Sequence, residues 1–144
     1  MRRDAACVFC RIVEGQAEAS VVYQDNLVTA FMDILPVNEG HLLVVPNEHS
    51  QGLEGLSEES GARMFAVARR LALALLRSGL RCEGVNLYLA DGQAAGQEVF
   101  HIHLHVLPRF RGDGFGLRRT KLLMPPSRQA LDVVAENIRR ALRE

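Results

Sequence analysis

Several classes of protein are excluded by what this sequence has little of. Its 144 residues carry 17 Lys and Arg against 17 Asp and Glu, so the formal net charge is zero. No broad basic surface is therefore available to hold a nucleic acid polymer. No apolar run approaches the length that spans a bilayer. The first seven residues, MRRDAAC, lead into no long apolar stretch, so we expect no signal peptide, no membrane partner and a cytoplasmic location.

Cysteine is also scarce. The chain has three cysteines, an odd count, and two of them form Cys7-x-x-Cys10. This usage argues against a disulfide framework and favours a reducing compartment. A C-x-x-C pair is typical of a thioredoxin-like redox motif or of half a zinc site. No strand precedes the pair, which weakens the redox interpretation, and zinc would need two further ligands.

The segment His101-Ile-His-Leu-His-Val-Leu organises the rest of the sequence. Side chains of a strand alternate between its faces, so His101, His103 and His105 would share one face. Each buried imidazole needs partners for a donor and an acceptor, so packing alone does not explain three of them. The pattern indicates either metal ligands or a nucleophile with supporting histidines.

Hydrophobic periodicity predicts an α+β fold with a mainly antiparallel sheet of about five strands. Two strands should meet in a hairpin at Asp25-Asn26, because such residues tolerate the backbone of a tight turn. A long helix should start at Ser57, its N-cap, and end near Gly79. We further predict a helical turn near residues 7–15, strands at 41–46, 85–89 and from 101, and a terminal helix at 127–142, within one domain spanning 1–144.

Taken together, these motifs resemble the histidine triad (HIT) family. Four further segments occur in the family's order and, with the histidine segment, span residues 7–109. The resemblance implies a nucleotide hydrolase or transferase that acts at the α-phosphate of a purine nucleotide. The segments are Cys7-x-x-Cys10, Ala30-Phe31-x-Asp33-Ile34, Gly40-His41-x-Leu43-x-x-Pro46-x-x-His49 and Ala95-Gly96-Gln97-x-x-x-His101.

The resemblance also implies catalytic roles. His103, the middle histidine, would be the nucleophile that forms a covalent nucleotidyl-histidine, which water then cleaves. His105 would donate to the phosphoryl oxygens, and His41 would complete the site. Gln97 would reach the phosphate or the leaving group, and Gly96 would supply a backbone N–H.

The nucleoside site is implied in the same way. Asp33 would accept hydrogen bonds from the ribose hydroxyls, whereas the residue pattern alone makes it a turn or cap residue at the end of a strand. An apolar pocket would surround the base. Its members would be Phe9, Ile12, Phe31, Ile34 and Leu43.

The resemblance also completes a metal site. In zinc-bearing members, the C-x-x-C pair is joined by the histidine after the P-x-x-H segment and by the first histidine of the triad. These residues are Cys7, Cys10, His49 and His101 here. Such a Cys2His2 set forms a closed tetrahedral structural site, so we expect Zn²⁺ and no organic cofactor.

The segment after the triad bears on the substrate. Pro108-Arg109 and the glycine-rich residues 112–114 resemble members that cleave dinucleoside polyphosphates, which we therefore favour as substrates. Arg109 could neutralise the extra phosphates or could be a solvated surface residue. Members that cleave nucleoside phosphoramidates form the alternative class.

Two positions depart from the family pattern. Ala90 stands where several members have an asparagine that contacts the phosphate. Glu98 stands where many have Ser or Thr, and we expect it to point away or to pair with an arginine, because a carboxylate repels phosphate. The departure at Ala90 keeps open a second function, that of a nucleotide-binding sensor with little turnover.

Two further expectations concern metal and assembly. A different enzyme class would place His101, His103 and His105 together on one catalytic zinc. Family members are usually homodimers that pair through the long helix and a strand, and the apolar helix at residues 64–75 is compatible with such a dimer.

Overall fold

A five-stranded antiparallel sheet places the histidine segment between two other strands. The computed structural model describes residues 1–116 and 124–143. The strand order is β1-β2-β3-β5-β4, and each neighbouring pair is antiparallel, so the predicted α+β class is confirmed. The elements are α1 (Val8–Val13), β1 (Val21–Gln24), β2 (Val28–Met32), β3 (Leu42–Pro46), α2 (Glu58–Arg77), β4 (Gly84–Leu89), β5 (Leu104–Arg109) and α3 (Arg128–Arg143).

The hairpin between β1 and β2 turns at Asp25-Asn26, as predicted. Oδ1 of Asp25 accepts the backbone N–H groups of Leu27 and Val28, both at 2.8 Å. Oδ2 accepts Tyr23 Oη–H and Arg63 Nε–H, both at 2.7 Å. Burial alone would raise the pKa of Asp25, but these donors hold it well below the usual range.

Helix α2 covers one face of the sheet. Ser57 caps it by accepting the N–H of Ser60 at 3.1 Å, and Gly79, with φ +82°, follows its end, so both predicted boundaries are confirmed. Its apolar stripe packs on alternate residues of β2 and β3 and on β5. This cluster contains Val28, Ala30, Leu42, Val44, Met64, Val67, Ala68, Leu75 and Val106.

The opposite face of the sheet is covered by α1. Phe9 and Ile12 pack there on Phe31, Leu43 and Val45, which alternate with the residues under α2. His105 pairs with Leu43 across the β3–β5 ladder, so the histidine belongs to this second face. The central strands β2 and β3 are therefore buried on both sides, with the histidines on the side of α1.

Gly40 lies where β3 begins, directly before His41. Its φ is +100°, a conformation that side chains with a Cβ rarely adopt. A Cβ here would lie 3.0 Å from Leu75, 3.0 Å from Leu80 and 3.3 Å from Pro108. Glycine thus lets the chain entering β3 approach both α2 and β5.

The histidine segment is less regular than predicted. Strand β5 begins only at Leu104, so the expected regular strand is wrong for residues 101–103. The N–H of Ile102 donates to Ser50 O at 2.7 Å, in the loop after β3. This loop, and not a neighbouring strand, is therefore the hydrogen-bond partner of Ile102. His101 and His103 still face α1, since both rings contact Phe9.

The chain divides into two compact units, residues 1–114 and 115–144. The predicted terminal helix is confirmed as α3, in the second unit, and Ser127 accepts the N–H of Ala130 at its start. One domain over 1–144 stays a prediction. Over the part of the chain that the structure describes, no helix is both long and apolar enough to cross a membrane.

Candidate active site and metal site

His103 has one ring nitrogen fixed by the backbone. Its Nδ1 lies 2.8 Å from the carbonyl oxygen of His101, and its side chain is buried against the face of α1. A carbonyl only accepts, so Nδ1 carries the proton and the lone pair of the neutral ring is on Nε2. Phe9 meets the ring edge to face, with centroids 5.3 Å apart. An oriented, unprotonated imidazole nitrogen is the group that a nucleophilic histidine requires.

A second chain of contacts fixes His105. Val37 N–H donates to His41 Nδ1 at 3.2 Å, so the proton of a neutral His41 is on Nε2. That Nε2–H donates to His105 Nδ1 at 2.9 Å. Nε2 of His105 therefore carries a proton, which makes His105 a donor next to the lone pair of His103.

Burial keeps these supporting rings neutral. Burial, together with the neighbouring His103 and His41, lowers the pKa of His105 to about 4, against the opposing effect of Asp33. Burial also lowers the pKa of His41, again opposed by Asp33. Both rings are thus neutral at pH 7, as the assignment of their protons assumes.

The two carboxylate oxygens of Asp33 have different neighbours. Oδ1 accepts the N–H of Leu35 at 2.9 Å, which is the cap contact expected from the residue pattern alone. Oδ2 lies 3.6 Å from His41 Nε2. One oxygen of Asp33 therefore stabilises the turn, while the other faces the histidines.

The apolar residues expected around the base are only partly together. Phe9, Ile12, Phe31 and Leu43 form one buried cluster, in which the rings of Phe9 and Phe31 meet edge to face at 5.2 Å. Ile34 lies outside it, and 89% of its surface is exposed.

Gln97 and Gly96 lie in the small-residue loop before the triad, and their polar groups have partners within the protein. Gln97 Nε2 donates to Gln51 O at 2.7 Å and to Val99 O at 3.1 Å, and Oε1 accepts Gly92 N–H at 2.8 Å. The N–H of Gly96 donates to Gln93 O at 3.0 Å. In this structure both residues hold the loop together, so the groups expected to reach a phosphate are engaged.

Arg109 is also engaged. Its Nε and Nη2 donate to the two carboxylate oxygens of Asp113 at 2.6 and 2.7 Å, and Nη1 donates to Asn86 Oδ1 at 2.7 Å. All three guanidinium nitrogens thus donate to acceptors within the protein. Glu98 is exposed, and its negative charge is one of those that raise the pKa of Tyr88, after burial of that residue.

Tyr88 is a site residue that the sequence did not reveal. It pairs with His105 across the β4–β5 ladder, and the two rings stack with centroids 4.0 Å apart and planes 8° apart. The signal lies in the strand register, because pairing Leu89 with Leu104 places Tyr88 on His105. A single sequence does not supply that register.

The four predicted metal ligands converge. Cys10 Sγ lies 3.3 Å from His49 Nδ1 and 3.6 Å from His101 Nδ1, Cys7 Sγ lies 3.4 Å from His101 Nδ1, and the two Nδ1 atoms are 3.2 Å apart. Tetrahedral Zn²⁺ with bonds of about 2.0–2.3 Å requires separations of roughly 3.3–3.8 Å between donors. His101 Nε2–H donates to Pro46 O at 2.8 Å, which leaves Nδ1 for a metal. The donor set fits zinc.

Other metal arrangements fit less well. In residues 1–116 and 124–143, the three triad histidines do not form a common donor group. Asp33, His41 and His105 do lie close together. However, a metal on Nε2 of His41 would move its proton to Nδ1, against the N–H of Val37. The Cys2His2 cluster is therefore the better metal site.

Comparison with known proteins agrees with this geometry. The family model described as "HIT domain" matches residues 14–112. An uncharacterized HIT-like protein of Borreliella burgdorferi is 45% identical over 114 residues, which cover 78% of this chain and 82% of the relative. A solved Streptococcus mutans protein superposes with a TM-score of 0.88 at 35% identity, covering 97% of this chain and 87% of its own.

A third comparison bears on the metal. The crystal structure of a zinc-bound histidine triad family protein from Mycobacterium smegmatis is 41% identical, with a TM-score of 0.74, and covers 94% of this chain and 97% of its own. A zinc-bound structural neighbour and a converging Cys2His2 set together support zinc binding here. The matched family model, the relatives and the fold agree, and the chain belongs to the histidine triad family.

Proposed function

We propose that this protein is a nucleotide hydrolase that acts at the α-phosphate of purine nucleotides through a covalent intermediate on His103. Membership of the family supports activity on nucleotides. The observation that carries the proposal is the contact of His103 Nδ1 with His101 O, which leaves the Nε2 lone pair available.

The proposed reaction has two displacements. Nε2 of His103 forms a bond to the α-phosphorus, while the bond to the leaving group breaks and its electron pair departs with that group. Water then attacks phosphorus, the N–P bond breaks, and its electron pair returns to Nε2. The water proton goes to solvent, and the nucleoside monophosphate is released.

His105 and His41 would stabilise the charge that develops on the phosphoryl oxygens. The Nε2–H of His105 is the donor, and His41 holds it in that tautomer through the 2.9 Å contact. Because His41 is buried, His105 is half-buried and both rings are neutral, this donor is already oriented before substrate binds.

The nucleoside would bind beside this centre. We assign Oδ2 of Asp33, which lies 3.6 Å from His41 Nε2, to the ribose hydroxyls, since Oδ1 accepts the N–H of Leu35. The base would lie at the edge of the Phe9 and Phe31 cluster and be covered by the exposed Ile34. Burying that isoleucine on binding would stabilise the complex by about 1.5–3 kcal/mol.

The leaving group has two candidates. The motifs after the triad favour dinucleoside polyphosphates, although the engagement of Arg109 with Asp113 and Asn86 removes one argument for them. Burial raises the pKa of Tyr88, and the negative charges of Asp33 and then Glu98 raise it further, so the Glu98 carboxylate acts on the edge of the site. Phosphoramidates are favoured by this carboxylate, because an amine leaving group tolerates a nearby negative charge better than a phosphate chain does.

We assign Zn²⁺ a structural role on Cys7, Cys10, His49 and His101. It would tie α1 to the residues before β5 without contacting the reacting phosphate.

We also propose a homodimer, since β4 is an edge strand and α2 exposes Phe65 and Leu76. No organic cofactor is required by the proposed chemistry.

A quenched single-turnover experiment tests the proposal. Wild type and His103→Ala are mixed with an adenine dinucleotide labelled with ³²P at the α-phosphate. We expect an acid-labile, base-stable label on wild type only. Turnover that is unaffected in His103→Ala would disprove the assignment of the nucleophile. AMP binding without label or turnover would support the sensor instead. Comparing kcat/KM for diadenosine tetraphosphate and adenosine phosphoramidate then separates the two leaving groups.

A further inference from the structure

The contacts of His105 leave one degree of freedom that Tyr88 restricts. The Cβ–Cγ torsion of a histidine is broad, so a backbone position does not by itself fix the plane of the ring. His41 holds Nδ1 of His105 through one hydrogen bond, about which the ring can still tilt. A flat partner on the face of the ring removes that motion.

Tyr88 supplies this flat partner. Its ring lies 4.0 Å from the ring of His105, with only 8° between the planes, whereas the neighbouring rings of His41 and His103 meet His105 at 42° and 58°. Directly paired residues on adjacent strands project to the same face, so the stack is built into the β4–β5 register. Tyr88 is 37% exposed and therefore also separates His105 from solvent.

We propose that Tyr88 is a positioning residue for the reaction, which holds the plane of the His105 ring so that its Nε2–H points at the phosphoryl oxygens. The inference rests on the proposed function. The aromatic ring, not the hydroxyl, carries this role, because the stacked geometry belongs to the ring. Tyr88 touches neither the phosphate nor the leaving group in this scheme, so it acts through His105.

Two substitutions separate ring from hydroxyl. Tyr88→Phe keeps the flat face, and Tyr88→Leu removes it while retaining apolar volume on an edge strand. A stacked aromatic pair contributes enough that its loss should lower kcat roughly 3- to 10-fold in Tyr88→Leu. KM for adenosine phosphoramidate should stay within about two-fold of wild type, because the nucleoside contacts are untouched. Phe115→Leu, the same class of change at an exposed position outside β4 and α2, is the matched control.

A spectroscopic measurement reports on the ring without relying on turnover. In protein labelled with ¹⁵N-histidine, the ring protons of His105 should be shifted upfield by the tyrosine face. The shift should persist in Tyr88→Phe and Phe115→Leu and be lost in Tyr88→Leu. Long-range ¹H–¹⁵N spectra show whether the Nε2–H tautomer persists.

The outcomes are distinct. Loss of kcat and of the upfield shift in Tyr88→Leu, with both retained in Tyr88→Phe, supports the proposal. An unchanged kcat in Tyr88→Leu, or an equal loss in both Tyr88 variants, overturns it. If wild type does not turn over any nucleotide, the proposed function fails, and the His105 shift alone decides whether Tyr88 orients that ring.

Discussion

His101 and His103 are two residues apart and present opposite nitrogens. His101 donates from Nε2 to Pro46 O and turns Nδ1 towards the cysteines. His103 donates from Nδ1 to the carbonyl of His101 and leaves Nε2 free. The nitrogen that meets a carbonyl thus decides which nitrogen is left, and the proposed function assigns the remaining one to a metal in His101 and to the nucleophile in His103.

In the proposed function, this difference separates the segment into a metal end, at His101, and a reacting end, at His103 and His105. At the metal end, the partners of His101 come from α1 and from the loop after β3. At the reacting end, His103 and His105 are held by a backbone carbonyl, by His41 and by Tyr88. Substitutions at the reacting end should therefore change turnover, and those at the metal end should change stability.

The largest effect is expected at His103. In His103→Gln, a side-chain amide can still donate to His101 O, but no nucleophilic nitrogen remains. We expect kcat to fall roughly 10⁴-fold, as for other removed nucleophiles. Rapid-quench kinetics measures it, with thermal unfolding as a check that the fold is retained. A fall of less than ten-fold would mean that water attacks phosphorus directly.

His41 is expected to matter next. His41→Asn removes the donor to His105 Nδ1, so the His105 tautomer is no longer fixed, and kcat should fall about 10- to 100-fold. The measurement is kcat together with the ¹⁵N shifts of His105. An unchanged kcat with an unchanged tautomer would show that His105 does not depend on His41.

A smaller effect, on binding, is expected at Ile34. Ile34→Ala should raise KM for the nucleotide about 3- to 10-fold, because less apolar surface is buried on the base, while kcat stays nearly constant. Leu35→Ala is the matched control, since Leu35 is 83% exposed and next in sequence. Equal changes in both variants would argue against a specific contact of Ile34 with the base.

Substitutions at the metal end should barely change kcat. Cys10→Ser should reduce bound zinc from about one ion per chain to almost none and lower the free energy of unfolding by about 3 kcal/mol. At 15 °C kcat should change less than about two-fold. Cys82→Ser is the control, because this thiol lies outside the Cys2His2 cluster and contacts Gly84 O. A large loss of kcat with full thermal stability would place the metal at the reacting end.

The last prediction concerns the pKa of His105. His105 should titrate by NMR with a pKa of about 4, because burial favours its neutral form. The unfolded state then binds the proton first as pH falls. The stability that this group contributes is therefore complete above its ordinary pKa of about 6.5 and decreases as pH falls towards 4. A measured pKa above 6 would contradict the burial of this ring.

Local patterns predicted most of the fold. The Asp25-Asn26 turn, the Ser57 cap and Gly79 are signals that lie within a few residues of what they determine, and all three are confirmed. The position of Tyr88 depends instead on pairing between strands that are distant in sequence. Such pairing is decided by packing, which no short window of sequence contains.

The contacts within the site could likewise be predicted only in part from the sequence. The motifs correctly predicted that the four candidate metal ligands lie close together. They did not predict that the Gln97 side chain would form hydrogen bonds with three backbone groups of two loops. Nor did they predict that Asp113 and Asn86 would accept hydrogen bonds from Arg109. Residue type indicates what a side chain can bind, whereas its neighbours in space decide which partner it takes.

Gly40 limits how this site can vary. Any side chain there would meet Leu75, Leu80 and Pro108 and would strain a backbone at φ +100°, immediately before His41. Relieving the clash would shift the residue that fixes the tautomer of His105. In a library of all twenty amino acids at position 40, selection for activity should therefore return glycine almost alone, although residue 40 itself contacts no substrate in the proposed reaction.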